Sequence, residues 1–199
     1  MQRDRLLLAG GVLGPAAFVG AWIVGAATSS IPYSVIDDPI SRLAAVDAPT
    51  RPLMTAGFIA FGIGVPACAL RLRTLVPGSA WIAAAGAGVT TLLVAATPLD
   101  RSALVDQLHG VAAGSGYVFL AAAPLLAAGP LRRHGHRLFA ALSAAAGLTS
   151  AICLPLSLSG LPTGLFQRIG LTAGDTWIAC TAIAALGGYL TNTDRQVAL

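Results

Sequence analysis

The sequence predicts an all-α integral membrane protein, a bundle of six transmembrane helices with both termini on the cytoplasmic side. Three observations lead there. Hydrophobic residues fill 56% of the 199 positions and charged residues only 10%, against about 25% charged in a soluble domain, and mean hydropathy is +0.78. Six mostly apolar runs of about 20 residues, the length that crosses roughly 30 Å of hydrocarbon as a helix, lie at 6–27, 52–70, 78–97, 108–129, 138–159 and 171–190. Arginine is concentrated in alternate connections between these runs. The same composition excludes a disordered chain, and three Cys do not make a disulfide scaffold. Six spans use most of the chain, so residues 1–199 read as a single six-helix transmembrane domain.

The first run follows Arg3 and Arg5 and ends in small residues. It is longer than the 7–15 residues of a signal-peptide core, so it reads as a retained helix. The connection 28–51 is too long for a plain turn. Within it, Asp38 before Pro39 suits a helix N-cap with Pro at the first helical position, predicting a short interfacial helix over 39–46. The second and third spans are joined by a short connection carrying Arg71 and Arg73. Asp100, Arg101 and Asp106 precede the fourth span, Arg132, Arg133, His134, His136 and Arg137 separate the fourth from the fifth, and Gln167 and Arg168 precede the sixth. Gly10 with Gly14, and Gly110 with Gly114, have the spacing that lets helices approach closely in lipid. Pro15, Pro66, Pro124 and Pro155 lie inside spans, where neighbours must accommodate the freed carbonyls.

Orientation follows from the arginines. With the N-terminus inside, Arg3, Arg5, Arg71, Arg73, Arg132, Arg133, Arg137 and Arg195 face the cytoplasm, leaving Arg42, Arg51, Arg101 and Arg168 outside. Six of the 8 acidic residues, all Asp, fall on the outer side, with only Asp4 and Asp194 inside. The basic balance is therefore a topology signal, and no nucleic acid is expected as a partner.

Polar residues from three outer connections converge on that face, predicting a polar mouth over an apolar bundle. Asp106 and His109, three apart, share a helix face, where a carboxylate can tune an imidazole as acid or base; a water-facing pair is the plain alternative. Asp175 lies about one turn inside the sixth span, and ionisable groups at depth are paired or functional. Arg168, seven residues earlier, is its nearest expected counter-ion, with Arg42 or Arg101 also in reach. Asp38 joins Asp106, His109 and Asp175 as a candidate catalytic group. Tyr33, Ser41, Arg42, Asp100, Arg168 and Trp177 are candidate substrate contacts. No metal site or cofactor is expected, since one outer His without Cys does not make a zinc set. Cys68, Cys153 and Cys180 read as small apolar fillers, and Trp22, Trp81 and Trp177 as interfacial anchors.

Gly14-Pro15, Tyr33-Ser34, Asp38-Pro39-Ile40-Ser41-Arg42-Leu43, His109, and Gly164-Leu165-Phe166-Gln167-Arg168 before Trp177 together carry a resemblance over nearly the whole chain. The chain resembles the domain of unknown function 998 family of small multi-spanning bacterial membrane proteins. The resemblance implies a compact six-helix membrane protein with Ser41, His109 and Arg168 as shared polar positions, and it implies no activity. Gln167 stands where a carboxylate is expected in many relatives, so position 167 is not assigned as an acid.

Three functions fit these residues. The first is a membrane-embedded enzyme using acid/base chemistry on a lipid or isoprenoid-like substrate at the extracytoplasmic side, such as proton-initiated isomerisation or cyclisation. The second is a noncatalytic lipid-binding or transport component. The third is a structural or signalling subunit whose small-residue faces pack on a partner membrane protein. Expected partners are membrane lipids or a lipid-like small molecule, with a second copy of the chain or another membrane protein as the alternative.

Overall fold

The computed structural model describes residues 2–190. They form six α-helices: α1 Gln2–Thr28, α2 Arg51–Leu75, α3 Ala80–Ala96, α4 Ala103–Arg133, α5 Arg137–Ser157 and α6 Thr163–Leu186. Consecutive helices pack side by side and α6 closes back onto α1, so the bundle is a ring. Five of the helices are long and apolar enough to cross a membrane. The exception is α3, whose 17 residues reach about 25 Å at 1.5 Å per residue; it carries no charged residue but stops short of Thr97. Arg195 and Asp194, placed inside by the charge count, lie outside the described residues.

The surface is apolar where a soluble protein would be polar: Leu13, Ile63, Val111 and Ile152 all point outward with 60% or more of their area exposed. The interior is built largely of small residues, as expected where packing rather than water exclusion joins helices. Gly10 and Gly64 meet at the crossing of α1 and α2, where a Cβ on Gly10 would lie 2.4 Å from the Gly64 carbonyl oxygen. Gly14 sits one turn on, against Ala60 and Phe61. Gly110 and Gly114 differ from the sequence expectation. A Cβ on either would meet nothing within 4 Å, because among the described residues no helix covers that face of α4.

The connections 29–50, 97–102 and 158–162 lie at one end of the ring. Val46 N–H donates to the Leu99 carbonyl and Leu165 N–H to the Ile36 carbonyl. The opposite end carries the Arg71–Asp4 ion pair at 3.4 Å and Arg73 over the Trp81 ring. The grouping of connections expected from alternating spans is thus present.

Candidate functional site

The long connection after α1 folds as a lid across one end of the ring. Its helical segment is a 3-10 helix, Ile40–Ala44, shorter than the 39–46 helix expected, and the N-cap is Pro39 rather than Asp38. Asp38 instead accepts a bond from the Ser34 N–H at 2.8 Å and pairs with Arg42 at 3.6 Å. Ile40, Leu43 and Ala44 are buried, with Leu43 against Gly25 of α1 and its carbonyl accepting from the hydroxyl of Thr50, the N-cap of α2.

The first turns of α6 clamp this lid. Gln167 Oε1 accepts from Ile40 N–H at 2.6 Å, Arg168 Nη1 donates to the Asp38 carbonyl at 3.0 Å, and Arg168 Nη2 donates to the Tyr33 hydroxyl. The guanidinium stacks over the rings of Trp22 at 5.2 Å and Tyr33 at 5.6 Å, both contacts stabilising a cation. Burial raises the Tyr33 phenol above its ordinary pKa although the neighbouring Arg168 opposes the rise, so the phenol stays a donor and bonds the Pro39 carbonyl. Glycine is required at 164 because a Cβ there would lie 2.4 Å from the Asp38 carbonyl oxygen and 2.8 Å from that of Val35. Gln167 and Arg168 are therefore inside α6, which begins eight residues before the expected span, and not in the loop. Their polarity serves the lid, and hydropathy alone places them outside.

Beneath the lid lies a cavity of about 50 Å³, walled by Phe18, Phe58 and Phe61, by Thr91, by Tyr117, and by Asp175. The three rings form one cluster, with Phe18 stacked on Phe58 and edge-on to Phe61, both at 5.7 Å. Asp175 is 2% exposed, and no protein hydrogen-bond donor reaches either carboxyl oxygen. It stands twelve residues into α6, about 18 Å along the axis, which puts an ionisable side chain at mid-span and not one turn from the end. The expected Arg168–Asp175 pair is not formed. Seven residues separate the two by about 10 Å along the helix, and Arg168 is committed to the lid.

The remaining expected residues sit apart from this cavity. Asp106 accepts from the Asp100 N–H at 3.0 Å, a bond that closes the turn in which Asp100 adopts φ 65°, a conformation short polar residues tolerate. His109 is bonded through Nδ1 to the Thr97 carbonyl at 2.6 Å rather than to Asp106. A carbonyl only accepts, so Nδ1 carries the proton, and buried Nε2 has no protein partner. Trp177 is not an interfacial anchor: it is buried and its indole N–H donates to Ser143 Oγ of α5 at 2.8 Å. Ser41 lies on the 3-10 helix beside exposed Arg42. Among the described residues no three His, Cys or Asp side chains converge.

Sequence reasoning did not find Phe18, Phe58, Phe61, Thr91 and Tyr117. The available signal was that three of the six Phe occur in α1 and α2, two of them three apart and so on one face. Residues 12–184 match the family described as Protein of unknown function (DUF998), and the chain belongs to that family. No curated protein and no solved structure matches it.

Proposed function

We propose that this DUF998 protein is a membrane-embedded acid/base enzyme in the cell membrane, acting on a lipid or isoprenoid-like substrate at the extracytoplasmic side, with Asp175 as its proton donor and acceptor. One observation carries this reading: a mid-span carboxyl group, without a protein donor, in a cavity walled by aromatic rings. A bare carboxylate is costly there, so the group needs a proton or a positively charged partner. Aromatic faces stabilise positive charge, including charge that develops on a carbon skeleton during reaction.

The chemistry balances within the site. The Asp175 carboxyl proton passes to one alkene carbon, whose π pair forms the new C–H bond. The carbocation left on the adjacent carbon faces Phe18, Phe58 and Phe61. The carboxylate then removes a proton from a neighbouring carbon, and that C–H pair becomes the shifted double bond. Asp175 is regenerated and the net change is isomerisation; attack by a second alkene of the same molecule on the cation gives cyclisation. The apolar lining of the cavity disfavours water that would otherwise trap the cation as an alcohol.

The cavity's size favours a second reading. At about 50 Å³ it holds a few water molecules and admits an alkene only after the Phe rings move. In that reading the protein is a noncatalytic transport component and Asp175 carries a proton or small cation. Incubation of the purified protein with isoprenoid lipids tests the first reading: conversion by wild type and none by Asp175→Asn supports it, and equal conversion by both refutes it. Flux in proteoliposomes that disappears in Asp175→Asn without any conversion supports the second.

A further inference from the structure

A different face of α6 borders an open groove of about 660 Å³, formed with α5 and closed at one end by Trp22 and Arg168. Its floor is apolar, with Phe139, Leu142 and Ala146 from α5 and Ala173 and Trp177 from α6. Ile169, Leu142 and Cys180 are exposed along it, so the groove opens on the apolar outside of the bundle. From Arg168 to Cys180 it runs about 18 Å, close to one leaflet of a hydrocarbon core roughly 30 Å thick.

Arg168 is 8% exposed and carries a permanent charge. Its partners are a carbonyl oxygen, a phenol and two aromatic rings. Among the described residues no carboxylate lies within ion-pair distance of it, and its Nε–H has no partner. A buried cation without a counter-charge is expensive, and this one stands at the head of a groove one leaflet long that opens to lipid. We infer that the groove binds an anionic phospholipid, its phosphate at the Arg168 end and one acyl chain laid along Ala146, Ala173 and Trp177. Apart from Arg168, the α6 residues of the groove lie on a different face from Asp175, and the proposal does not depend on the enzymatic reading. Both a lipid-shaped slot and a charge that selects among lipids are present, which neither feature would supply alone.

The test uses two of the three tryptophans, Trp22 and Trp177, which line the groove. The full-length protein is reconstituted in phosphatidylcholine vesicles, and increasing fractions of phosphatidylglycerol or phosphatidylcholine with brominated acyl chains are added. Bromine quenches only nearby indoles. Since a charge-assisted hydrogen bond contributes a tenfold or greater preference, half-maximal quenching is expected at roughly one tenth the fraction of brominated phosphatidylglycerol. Arg168→Gln should abolish the preference. Because that change also loosens the lid, a second variant, Ala146→Phe with Ala173→Phe, fills the groove without touching Arg168, and should lose the phosphatidylglycerol-specific quenching while retaining the wild-type melting temperature within a few degrees. Equal quenching by the two lipids in wild type, or a preference that survives groove filling in a folded protein, overturns the proposal. Absence of quenching by either lipid means that protein, such as a second copy of the chain, occupies the groove, and overturns it equally.

Discussion

Replacing Asp175 with Leu should stabilise the folded protein while removing the proposed activity. The carboxyl group is 2% exposed with both oxygens lacking a protein donor, and a buried polar group in that state costs roughly 1–3 kcal/mol. Leu also projects into the cavity of about 50 Å³, and unfilled volume costs about 24 cal/mol per Å³, so filling it contributes about 1.2 kcal/mol. The combined gain is about 2–4 kcal/mol. For a chain of this size that raises the melting temperature by roughly 5–15 °C, measured by thermal unfolding in detergent. A residue kept at a cost to stability is what a working group looks like. A melting temperature that falls on Asp175→Leu would refute the reasoning, because it would mean that the carboxyl group holds the bundle together.

Other predictions follow from the lid and the helix crossings. Gly164→Ala places a Cβ 2.4 Å from the Asp38 carbonyl oxygen, so it should cost about 1–3 kcal/mol and speed tryptic cleavage after exposed Arg42. Gln167→Ala leaves the Ile40 N–H without its 2.6 Å acceptor; a similar loss of roughly 1–3 kcal/mol and faster cleavage at the same bond are expected. Gly10→Ala should destabilise by about 1–3 kcal/mol, since its Cβ meets the Gly64 backbone. Gly110→Ala, with nothing within 4 Å, should be neutral or stabilising by up to about 1 kcal/mol. Denaturant unfolding of the two variants side by side checks the contrast, and a large loss for Gly110→Ala would reveal a partner on that face of α4.

The fold class was legible because composition and run length answer to the solvent, and a bilayer leaves few choices. Helix ends were less so. Gln167 and Arg168 break the apolar run of α6 and so read as loop, yet their side chains face a neighbouring segment instead of water. Hydropathy cannot distinguish the two. Gly10 and Gly110 have the same four-residue spacing, but what decides their role is whether another helix lies across them. That is tertiary information. Asp175 stood out as a charge at depth, whereas the Phe rings facing it did not, because a Phe in a membrane helix is unremarkable until three from two helices meet. The motif residues of the lid and of α6 were visible separately, and only folding reveals that Gly164, Gln167 and Arg168 exist to hold the Tyr33 to Leu43 segment.

The most direct test of Asp175 as a proton donor to carbon is incubation of the purified protein with a total bacterial lipid extract in D₂O, followed by mass spectrometry. An exchangeable carboxyl proton is replaced by deuterium from solvent before it is transferred, so isomerisation or cyclisation leaves a carbon-bound deuterium that survives return to H₂O. Wild type should label at least one isoprenoid or other unsaturated lipid, and Asp175→Asn should label none. No labelling by wild type, or equal labelling by Asp175→Asn, would contradict the account.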